Sequence, residues 1–311
     1  MISKNSTNIR FMNLLLPALR AATGVEAMAA MMAARLGESL MFRTHRRERT
    51  AEEQAILGTG RAFRVPSAHG GLAAWRWGEG PQVLLVHGWN GRGSQLGGFV
   101  GPLVEAGFGV VMLDAPGHGD SPGHRSSLPD FASAIEATVD AVRPLGAPLH
   151  GVIAHSMGGP ATILASHRTL HAEETSLERG LREARLPFRR FVLVAPPIDV
   201  RDFLRGFSER VGLGQPVQDV LQKRIEARFA TRLSELYAPE LVREFEAPLL
   251  VLHDAQDKEV PADRGRTLSA AWPGGLFEET QGLGHVRILR DPQIVGRVVR
   301  FLRDLLPRVV P

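Results

Sequence analysis

Short, almost purely apolar runs recur along the chain, and each run ends in small or polar residues. The runs cover residues 83–86, 110–113, 152–154, 191–195 and 249–252. Continuous apolar runs of this length are typical of strands that are buried on both faces of a parallel sheet. Three segments between them have the apolar spacing of helices: 95–106, 128–142 and 158–171. This alternation predicts a doubly wound, mostly parallel α/β sheet whose ligands lie outside the carboxyl ends of its strands.

Other regions complete the predicted organisation. Residues 61–68 and 72–77 have the pattern of two short strands around a glycine turn, and 276–280 has that of a last strand, which brings the sheet to about eight strands. Residues 199–246 have the pattern of several amphipathic helices, and the charged segment 173–190 is predicted to extend a helix into solvent. We therefore expect an N-terminal helical extension at 1–60, a core formed by 61–198 and 248–311, and a helical cap at 199–247 inserted in that core.

The N-terminal segment is apolar over residues 11–41, but Arg20, Glu26, Arg35 and Glu38 interrupt it. No uncharged run of about 18 residues is left to span a bilayer. We expect packed helices here. The alternatives are a membrane-surface helix that docks through residues 11–49, which include a basic run at 43–49, and a signal peptide.

Composition narrows the classes of function and location. The chain has no cysteine, which excludes disulfides, thiolate metal sites and a cysteine nucleophile, and fits a reducing cytosol. We expect a cytoplasmic protein, with peripheral membrane attachment as the alternative. The net charge is only +4 and the basic residues are scattered, which argues against a nucleic-acid partner. No metal-ligand spacing occurs among the 11 histidines, so we expect neither metal nor cofactor. The pattern does not predict an oligomeric state.

The strongest local signal is the segment Ala154-His155-Ser156-Met157-Gly158-Gly159, which follows a predicted strand and opens a predicted helix. A nucleophile elbow needs small residues two positions before and after its serine, because a tight strand–turn–helix brings backbones close together. Gly158 meets this requirement, and Ala154 replaces the more usual glycine with the next smallest residue. The alternative is a structural serine at a helix N-cap.

At these residues the chain resembles the α/β-hydrolase superfamily, and the resemblance extends from about residue 61 to the end. The segment His87-Gly88-Trp89-Asn90 looks like the family's oxyanion-hole loop. The resemblance implies that the backbone N–H groups of Trp89 and Met157 receive the negative oxygen of a tetrahedral intermediate. Residues 114–121 look like the family's D-x-x-G-x-G-x-S turn. The role of that turn is mainly structural, so Asp114 and His118 are not in the catalytic set.

The family pattern also supplies an acid and a base, in the chain order serine, acid, histidine. The segment 253–261 resembles the family's H-G-x-x-D-x-x-V-P pattern, which implies Asp257 as the acid. Asp254, at a position that is usually glycine, is the alternative. The segment Gly282-Leu283-Gly284-His285 implies His285 as the base. We expect His87, His155 and Asp254 to lie around the pocket.

The implied function is a serine hydrolase that cleaves a carboxylic ester or a related acyl bond through an acyl-enzyme. Serine at the elbow argues against the dehalogenase and epoxide-hydrolase branches, which carry aspartate there. Phe203, Phe207 and Phe229 in the predicted cap suggest a small, partly apolar acyl substrate. Two alternatives are a non-catalytic binding relative, and an acyl hydrolase or acyltransferase that acts on lipids at a membrane surface.

Overall fold

Eight strands form one sheet in the computed structural model, which describes residues 24–143, 149–172 and 186–304. The strand order is β1-β2-β4-β3-β5-β6-β7-β8, with only β1–β2 and β2–β4 antiparallel. The strands are β1 (Arg61–Val65), β2 (Leu72–Trp77), β3 (Gln82–Val86), β4 (Gly109–Leu113), β5 (Gly151–His155), β6 (Phe191–Val194), β7 (Leu249–Asp254) and β8 (Leu276–Thr280). The predicted mostly parallel sheet of about eight strands is confirmed.

Every residue of β4, β5, β6 and β7 is buried. The helices are α1 (24–41), α2 (Ala51–Gly58), α3 (Val100–Glu105), α4 (Leu128–Val142), α5 (Gly158–Leu170), α6 (Val200–Val211), α7 (Gln215–Phe229), α8 (Ala238–Leu241), α9 (Ala262–Ala271), α10 (Gly284–Arg287) and α11 (Pro292–Arg303), with 3₁₀ turns at Gly93–Phe99, Leu233–Leu236 and Ile288–Arg290. Continuous apolar runs therefore correspond to strands that are covered on both faces.

Three predicted elements differ from the structure for local reasons. The helix predicted at 95–106 is a 3₁₀ turn followed by α3. Gly97 and Gly98 lie in that turn, and glycine disfavours a regular α-helix. The first strand ends at Val65 rather than at residue 68, since Pro66 has no N–H to donate to the sheet. β6 ends before Ala195, whose φ of +51° lies outside the β region.

Inter-residue contacts divide the described residues into two compact units. The helical unit comprises 24–42 and 201–233, and the sheet unit comprises 43–143, 149–172, 186–200 and 234–304. Within the helical unit, Glu38 is buried and accepts hydrogen bonds from Arg224 at 2.7 and 2.9 Å and from Arg228 at 3.2 Å. Burial would raise the pKa of Glu38, but these bonds and charges lower it. Helices of this unit are thus joined by a buried carboxylate.

Some of the sequence-based expectations stay predictions. The boundaries of an extension at 1–60 and a cap at 199–247 are not tested by the fold. The ring of Phe229 packs edge-to-face on Phe42, with 5.7 Å between centroids, inside the helical unit. Most of the helix predicted at 173–190, and residues 11–23 of the apolar N-terminal stretch, lie outside the described residues. Within the described part of the chain, no helix combines the length and the apolarity that crossing a membrane requires.

Candidate active site

Ser156 lies on a sharp turn between β5 and α5. Its φ is +51°, a left-handed conformation that is unfavourable for any residue other than glycine, and its N–H donates to the carbonyl of Val194 at 2.9 Å. Met157 is the N-cap of α5, so Ser156 is not itself a helix cap. A strained serine at a strand-to-helix turn is the geometry of a nucleophile elbow.

Close backbone approach explains the small residues around Ser156. A Cβ atom at Gly158 would lie 2.7 Å from the carbonyl oxygen of His87 and 2.8 Å from that of Val86. On the other side of the serine, a Cβ atom at Gly88 would lie 2.9 Å from Ser156 Cβ. All three distances are shorter than a Cβ atom tolerates to a carbon atom or a carbonyl oxygen. The loop after β3 is therefore in contact with the elbow only because both positions are glycine.

His285 and Asp257 are brought together by the loops that follow β8 and β7. The Nδ1 atom of His285 lies 2.7 Å from Asp257 Oδ2, and the side chains are 7% and 0% exposed. The other carboxylate oxygen of Asp257 accepts hydrogen bonds from the backbone N–H groups of Glu259 at 2.8 Å and Val260 at 3.0 Å. The carboxylate is thus fixed in one orientation and presents a single oxygen to the imidazole.

His253 is a second histidine at this carboxylate, and the sequence pattern gave it no role. Its side chain is fully buried, and its Nε2–H donates to the carbonyl of Val260 at 2.9 Å and lies 3.4 Å from Asp257 Oδ2. Burial would raise the pKa of Asp257, but the bonds from His253, His285 and two backbone N–H groups lower it well below its ordinary value. Asp257 is therefore ionised at neutral pH. The spacing of four residues between His253 and Asp257 was the only signal of this contact.

Asp254 is buried at the end of β7 and holds neighbouring loops together. Its Oδ2 accepts hydrogen bonds from Thr280 Oγ1 at 2.8 Å and from the N–H of Leu283 at 2.9 Å, and its Oδ1 accepts one from the N–H of Gln256 at 3.0 Å. Burial would raise its pKa, but these bonds and one from Gly284 lower it. The carboxylate of Asp254 thus bonds to the loop that carries His285, whereas that of Asp257 bonds to the imidazole.

His155 joins the elbow to the histidine loop. Its Nε2 lies 2.9 Å from the backbone carbonyl of His285, and the two rings are 4.7 Å apart between centroids. Burial and the nearby His285 lower the pKa of His155 to about 3. A neutral imidazole carries one proton, and the contact with a carbonyl places that proton on Nε2. Nδ1 is buried and has no hydrogen-bond partner among the described residues.

Two buried histidines fix the loop after β3. His87 donates through Nδ1 to the carbonyl of Gly88 at 2.7 Å and accepts from the N–H of Ala115 at 3.0 Å. His118 accepts through Nε2 from the N–H of Asn90 at 3.0 Å, and its Nδ1 donates to the carbonyl of Pro116 at 2.9 Å. Burial lowers the pKa of His87 to about 4 and that of His118 to about 3, so both rings are neutral bridges.

The backbone N–H groups predicted for an oxyanion hole belong to the elbow and to the loop after β3, which contact each other. Trp89 follows Gly88 in the loop that contacts the elbow, and its half-buried ring meets that of His118 at 5.3 Å between centroids. Met157 precedes the first residue of α5, where N–H groups have no acceptor within the helix and the helix dipole favours negative charge. The N-terminus of α5 therefore suits stabilisation of an anion.

The basic run at 43–49 is bonded to the same region, which sequence reasoning missed. We call residues 43–50 the N-terminal strap. Arg46 donates to the carbonyls of Gly119 at 2.9 Å, Ser121 at 2.6 Å and Gly123 at 2.8 Å. The N–H of His45 donates to Asn90 Oδ1 at 2.8 Å. These bonds connect the strap to the turns after β4 and β3, and no periodicity in the sequence signalled them.

The strap also contributes charge to the turn after β4. Arg49 donates to Asp120 Oδ1 at 2.8 Å and to Asp114 Oδ2 at 3.0 Å. Asp114 is fully buried and also accepts hydrogen bonds from the N–H groups of Gly93 at 2.7 Å and Asp120 at 2.9 Å. This arrangement suits a structural carboxylate. Across residues 24–143, 149–172 and 186–304, no group of three or more His, Asp or Glu side chains is arranged to hold a metal ion.

Comparison with known proteins agrees with this geometry. A model of the alpha/beta hydrolase family matches residues 83–298. Among similar relatives, the pimeloyl-(acyl-carrier protein) methyl ester esterase of Methylococcus capsulatus is 26% identical over 243 residues, which cover 71% of this chain and 94% of the relative. The protein of the same name from Xanthomonas oryzae is 27% identical over 255 residues, with 73% and 97% covered.

Solved structures show the same fold. An esterase from Pyrococcus furiosus superposes with a TM-score of 0.58 at 16% identity and covers 84% of this chain and 98% of its own. A thermophilic esterase from Thermogutta terrifontis gives a TM-score of 0.55 at 16% identity, with 79% and 98% covered. The family model spans more than half of the chain, which confirms the resemblance noted in the sequence. The chain belongs to the alpha/beta hydrolase family.

Proposed function

We propose that the protein is a serine hydrolase that cleaves a carboxylic ester through an acyl-enzyme intermediate, with Ser156 as nucleophile, His285 as base and Asp257 as the group that orients the base. The observation that carries the proposal is the 2.7 Å contact between His285 Nδ1 and Asp257 Oδ2, on loops that follow neighbouring strands of the sheet that carries Ser156. Asp257 has the contact to the imidazole that the role of orienter requires, and Asp254 has none.

The first half of the reaction acylates the enzyme. Asp257 holds the proton of His285 on Nδ1, so Nε2 offers a lone pair. As Ser156 Oγ attacks the ester carbonyl, Nε2 takes the hydroxyl proton, and the new carbon–oxygen bond leaves a negative charge on the former carbonyl oxygen. The N–H groups of Trp89 and Met157 bind that oxygen. The tetrahedral intermediate then expels the alcohol, which receives the proton from Nε2.

The second half releases the acid. Water attacks the acyl-enzyme while His285 Nε2 takes one of its protons, and the same two N–H groups bind the second oxyanion. Collapse breaks the bond to Ser156 Oγ, which regains a proton from His285. The free carboxylic acid leaves and ionises at neutral pH. Asp257 stays ionised throughout, because its role is to stabilise the imidazolium.

The substrate that we propose is a small, partly apolar acyl ester. The relatives named above are methyl ester esterases by name, which favours an ester over an amide or a carbon–carbon bond. We also propose a cytoplasmic location, which the absence of cysteine supports.

The proposal is tested with Ser156→Ala. Wild type is expected to hydrolyse p-nitrophenyl butyrate and to react with a fluorophosphonate probe. Ser156→Ala is expected to lose at least about a thousandfold in kcat and all labelling, because the nucleophile is gone. Ser234→Ala, at an exposed serine, serves as the control and should match wild type.

Two results would contradict the proposal. Labelling of Ser156→Ala as strong as that of wild type would move the nucleophile elsewhere. A wild type that neither reacts with the probe nor hydrolyses any ester of a chain-length panel would favour the non-catalytic binding relative.

A further inference from the structure

Glu259 places a carboxylate beside the reactive nitrogen of His285. Its Oε2 lies 3.8 Å from His285 Nε2, the nitrogen opposite the one that contacts Asp257. The side chain of Glu259 is 67% exposed, whereas that of His285 is 7% exposed. An exposed carboxylate therefore lies beside Nε2. The mechanism above gives this group no task.

Local structure holds the backbone of Glu259 at this place and leaves its carboxylate charge without a cationic partner among the described residues. Its backbone N–H donates to Asp257 Oδ1 at 2.8 Å, which ties the residue to the carboxylate that orients His285. Among the described residues, no arginine or lysine lies within ion-pairing distance of its side chain. An exposed charge without a counterion acts on any charged group that comes near it.

In the proposed reaction, the part of the ester that comes near Glu259 is its alcohol. The leaving oxygen must approach Nε2 to about 3 Å to receive its proton. A charge two or three bonds farther along the alcohol then lies roughly 6–8 Å from the Glu259 carboxylate. At such a separation, and with an effective dielectric constant between those of a protein surface (about 20) and water (about 80), Coulomb's law gives roughly a three- to fiftyfold effect on a rate constant. The central value is about tenfold.

We propose that Glu259 determines the charge preference of the enzyme on the alcohol side of the ester. Cationic alcohols are favoured over neutral ones, and neutral alcohols over anionic ones. The inference rests on the proposed function, because it takes His285 Nε2 as the atom that protonates the leaving alcohol. It adds a specificity-determining residue outside the catalytic set.

Three butyrate esters of similar shape provide the test. Butyrylcholine carries a cation, 3,3-dimethylbutyl butyrate replaces that nitrogen with carbon, and 2-(butyryloxy)ethanesulfonate carries a permanent anion. A pH-stat follows butyric acid release from all of them, and kcat/KM is measured for wild type, Glu259→Gln and Glu79→Gln. Glu79 is an exposed carboxylate before β3, at the opposite end of the parallel strands, and is the matched control.

The expected result is a change in ratios. The cation-to-neutral ratio of kcat/KM should fall about tenfold in Glu259→Gln, and the anion-to-neutral ratio should rise by a similar factor, with both ratios as in wild type for Glu79→Gln. Each ratio cancels any change in the chemical step that all three esters share. In wild type the preference should also weaken between about 0.01 M and 1 M salt, as the screening length shrinks from about 30 to 3 Å.

The outcomes separate this inference from the proposed function. Ser156-dependent turnover with ratios that are the same in wild type and Glu259→Gln overturns the inference and leaves the function intact. A fall of the ratios in Glu79→Gln equal to that in Glu259→Gln also overturns it, because the effect would then be one of net charge. Absence of Ser156-dependent turnover of all three esters overturns the function and the inference together.

Discussion

Replacing Asp257 with asparagine removes the charge but hardly changes the shape of the side chain, so it tests how His285 is oriented. The carboxylate accepts four contacts: from His285 Nδ1 at 2.7 Å, His253 Nε2 at 3.4 Å, and the backbone N–H groups of Glu259 and Val260 at 2.8 and 3.0 Å. Asparagine keeps one acceptor oxygen and puts an NH₂ group in place of the other. Either orientation of the amide therefore leaves two N–H groups facing a donor.

The two orientations have different costs. If the amide oxygen stays with the backbone N–H groups, the NH₂ group faces the imidazole, and His285 must move its proton to Nε2 to keep a hydrogen bond. That tautomer cannot accept the proton of Ser156, and the corresponding substitution in a well-studied protease lowers kcat about 10⁴-fold. If the amide flips, two buried N–H groups lose their acceptor at roughly 1–3 kcal/mol each. The first is the less damaging to the fold, so we expect kcat to fall about 10⁴-fold, or about 5 kcal/mol in activation free energy.

The assay compares Asp257→Asn with Asp254→Asn in parallel. Asp254 accepts hydrogen bonds from Thr280, Leu283 and Gln256 but not from the imidazole. Its asparagine variant should lose stability by about 1–3 kcal/mol and keep kcat within about tenfold of wild type. Turnover of p-nitrophenyl butyrate and thermal unfolding are measured on both. A kcat for Asp257→Asn close to wild type, with the large loss in Asp254→Asn, would refute the assignment.

The same variant changes the response to acid. The pKa of folded Asp257 is well below its ordinary value, because hydrogen bonds from His253, His285 and two backbone N–H groups outweigh the opposing effect of burial. The ionised carboxylate therefore contributes stability above pH about 4, and that contribution is lost as the pH falls toward the folded pKa. Below pH 4 wild type should lose stability more steeply than Asp257→Asn, as urea unfolding would show; equal slopes would contradict the linkage.

Two further predictions concern residues that act through others. His155→Gln keeps an N–H donor for the carbonyl of His285 and should retain most of kcat, whereas His155→Leu should lose about tenfold in kcat with little change in KM; equal losses in both variants would contradict a role for the hydrogen bond. Arg46→Met removes three bonds to the carbonyls of the turn after β4 and should lower both Tm and the rate of fluorophosphonate labelling, while Arg47→Met, at an exposed neighbour, should change neither. Identical behaviour of the two arginine variants would show that the strap does not support the site.

The sheet was predictable because burial on both faces leaves a direct trace in the sequence. A strand such as β4, with all its residues buried, must be apolar throughout, and so must its neighbours in a parallel sheet. The elements that differed were decided by local backbone effects that apolar spacing does not report. In the helix predicted at 95–106, Gly97 and Gly98 lie in a 3₁₀ turn, because glycine disfavours a regular α-helix.

The sequence alone also could not decide which of the two aspartates contacts His285. Asp254 and Asp257 are three residues apart after one apolar run, and both are polar, buried and hydrogen-bonded. What separates them is direction: Asp254 is the last residue of β7 and pairs with Thr280 of β8, while Asp257 has passed the turn and meets His285. The resemblance to the family favoured Asp257, whereas composition and periodicity could not distinguish the two aspartates.

The basic run makes contacts that no one-dimensional pattern indicated. Arg46 and Arg49 donate hydrogen bonds to the carbonyl and carboxylate oxygens of the turn after β4. A deletion of residues 1–50 would therefore remove these bonds as well as any membrane contact. The Arg46→Met and Arg47→Met pair tests the structural part without removing a segment.

Burial divides the histidines around Ser156 by chemical task. His87, His118 and His155 have pKa values lowered to about 4, 3 and 3, so each is neutral at pH 7. Each also donates to a backbone carbonyl, which fixes its tautomer and makes it a rigid bridge. His285 differs because its Nδ1 faces the ionised carboxylate of Asp257, which stabilises positive charge on the ring. Burial makes the first three rings poor bases, so in the proposed mechanism the proton of Ser156 goes to His285 rather than to any of them.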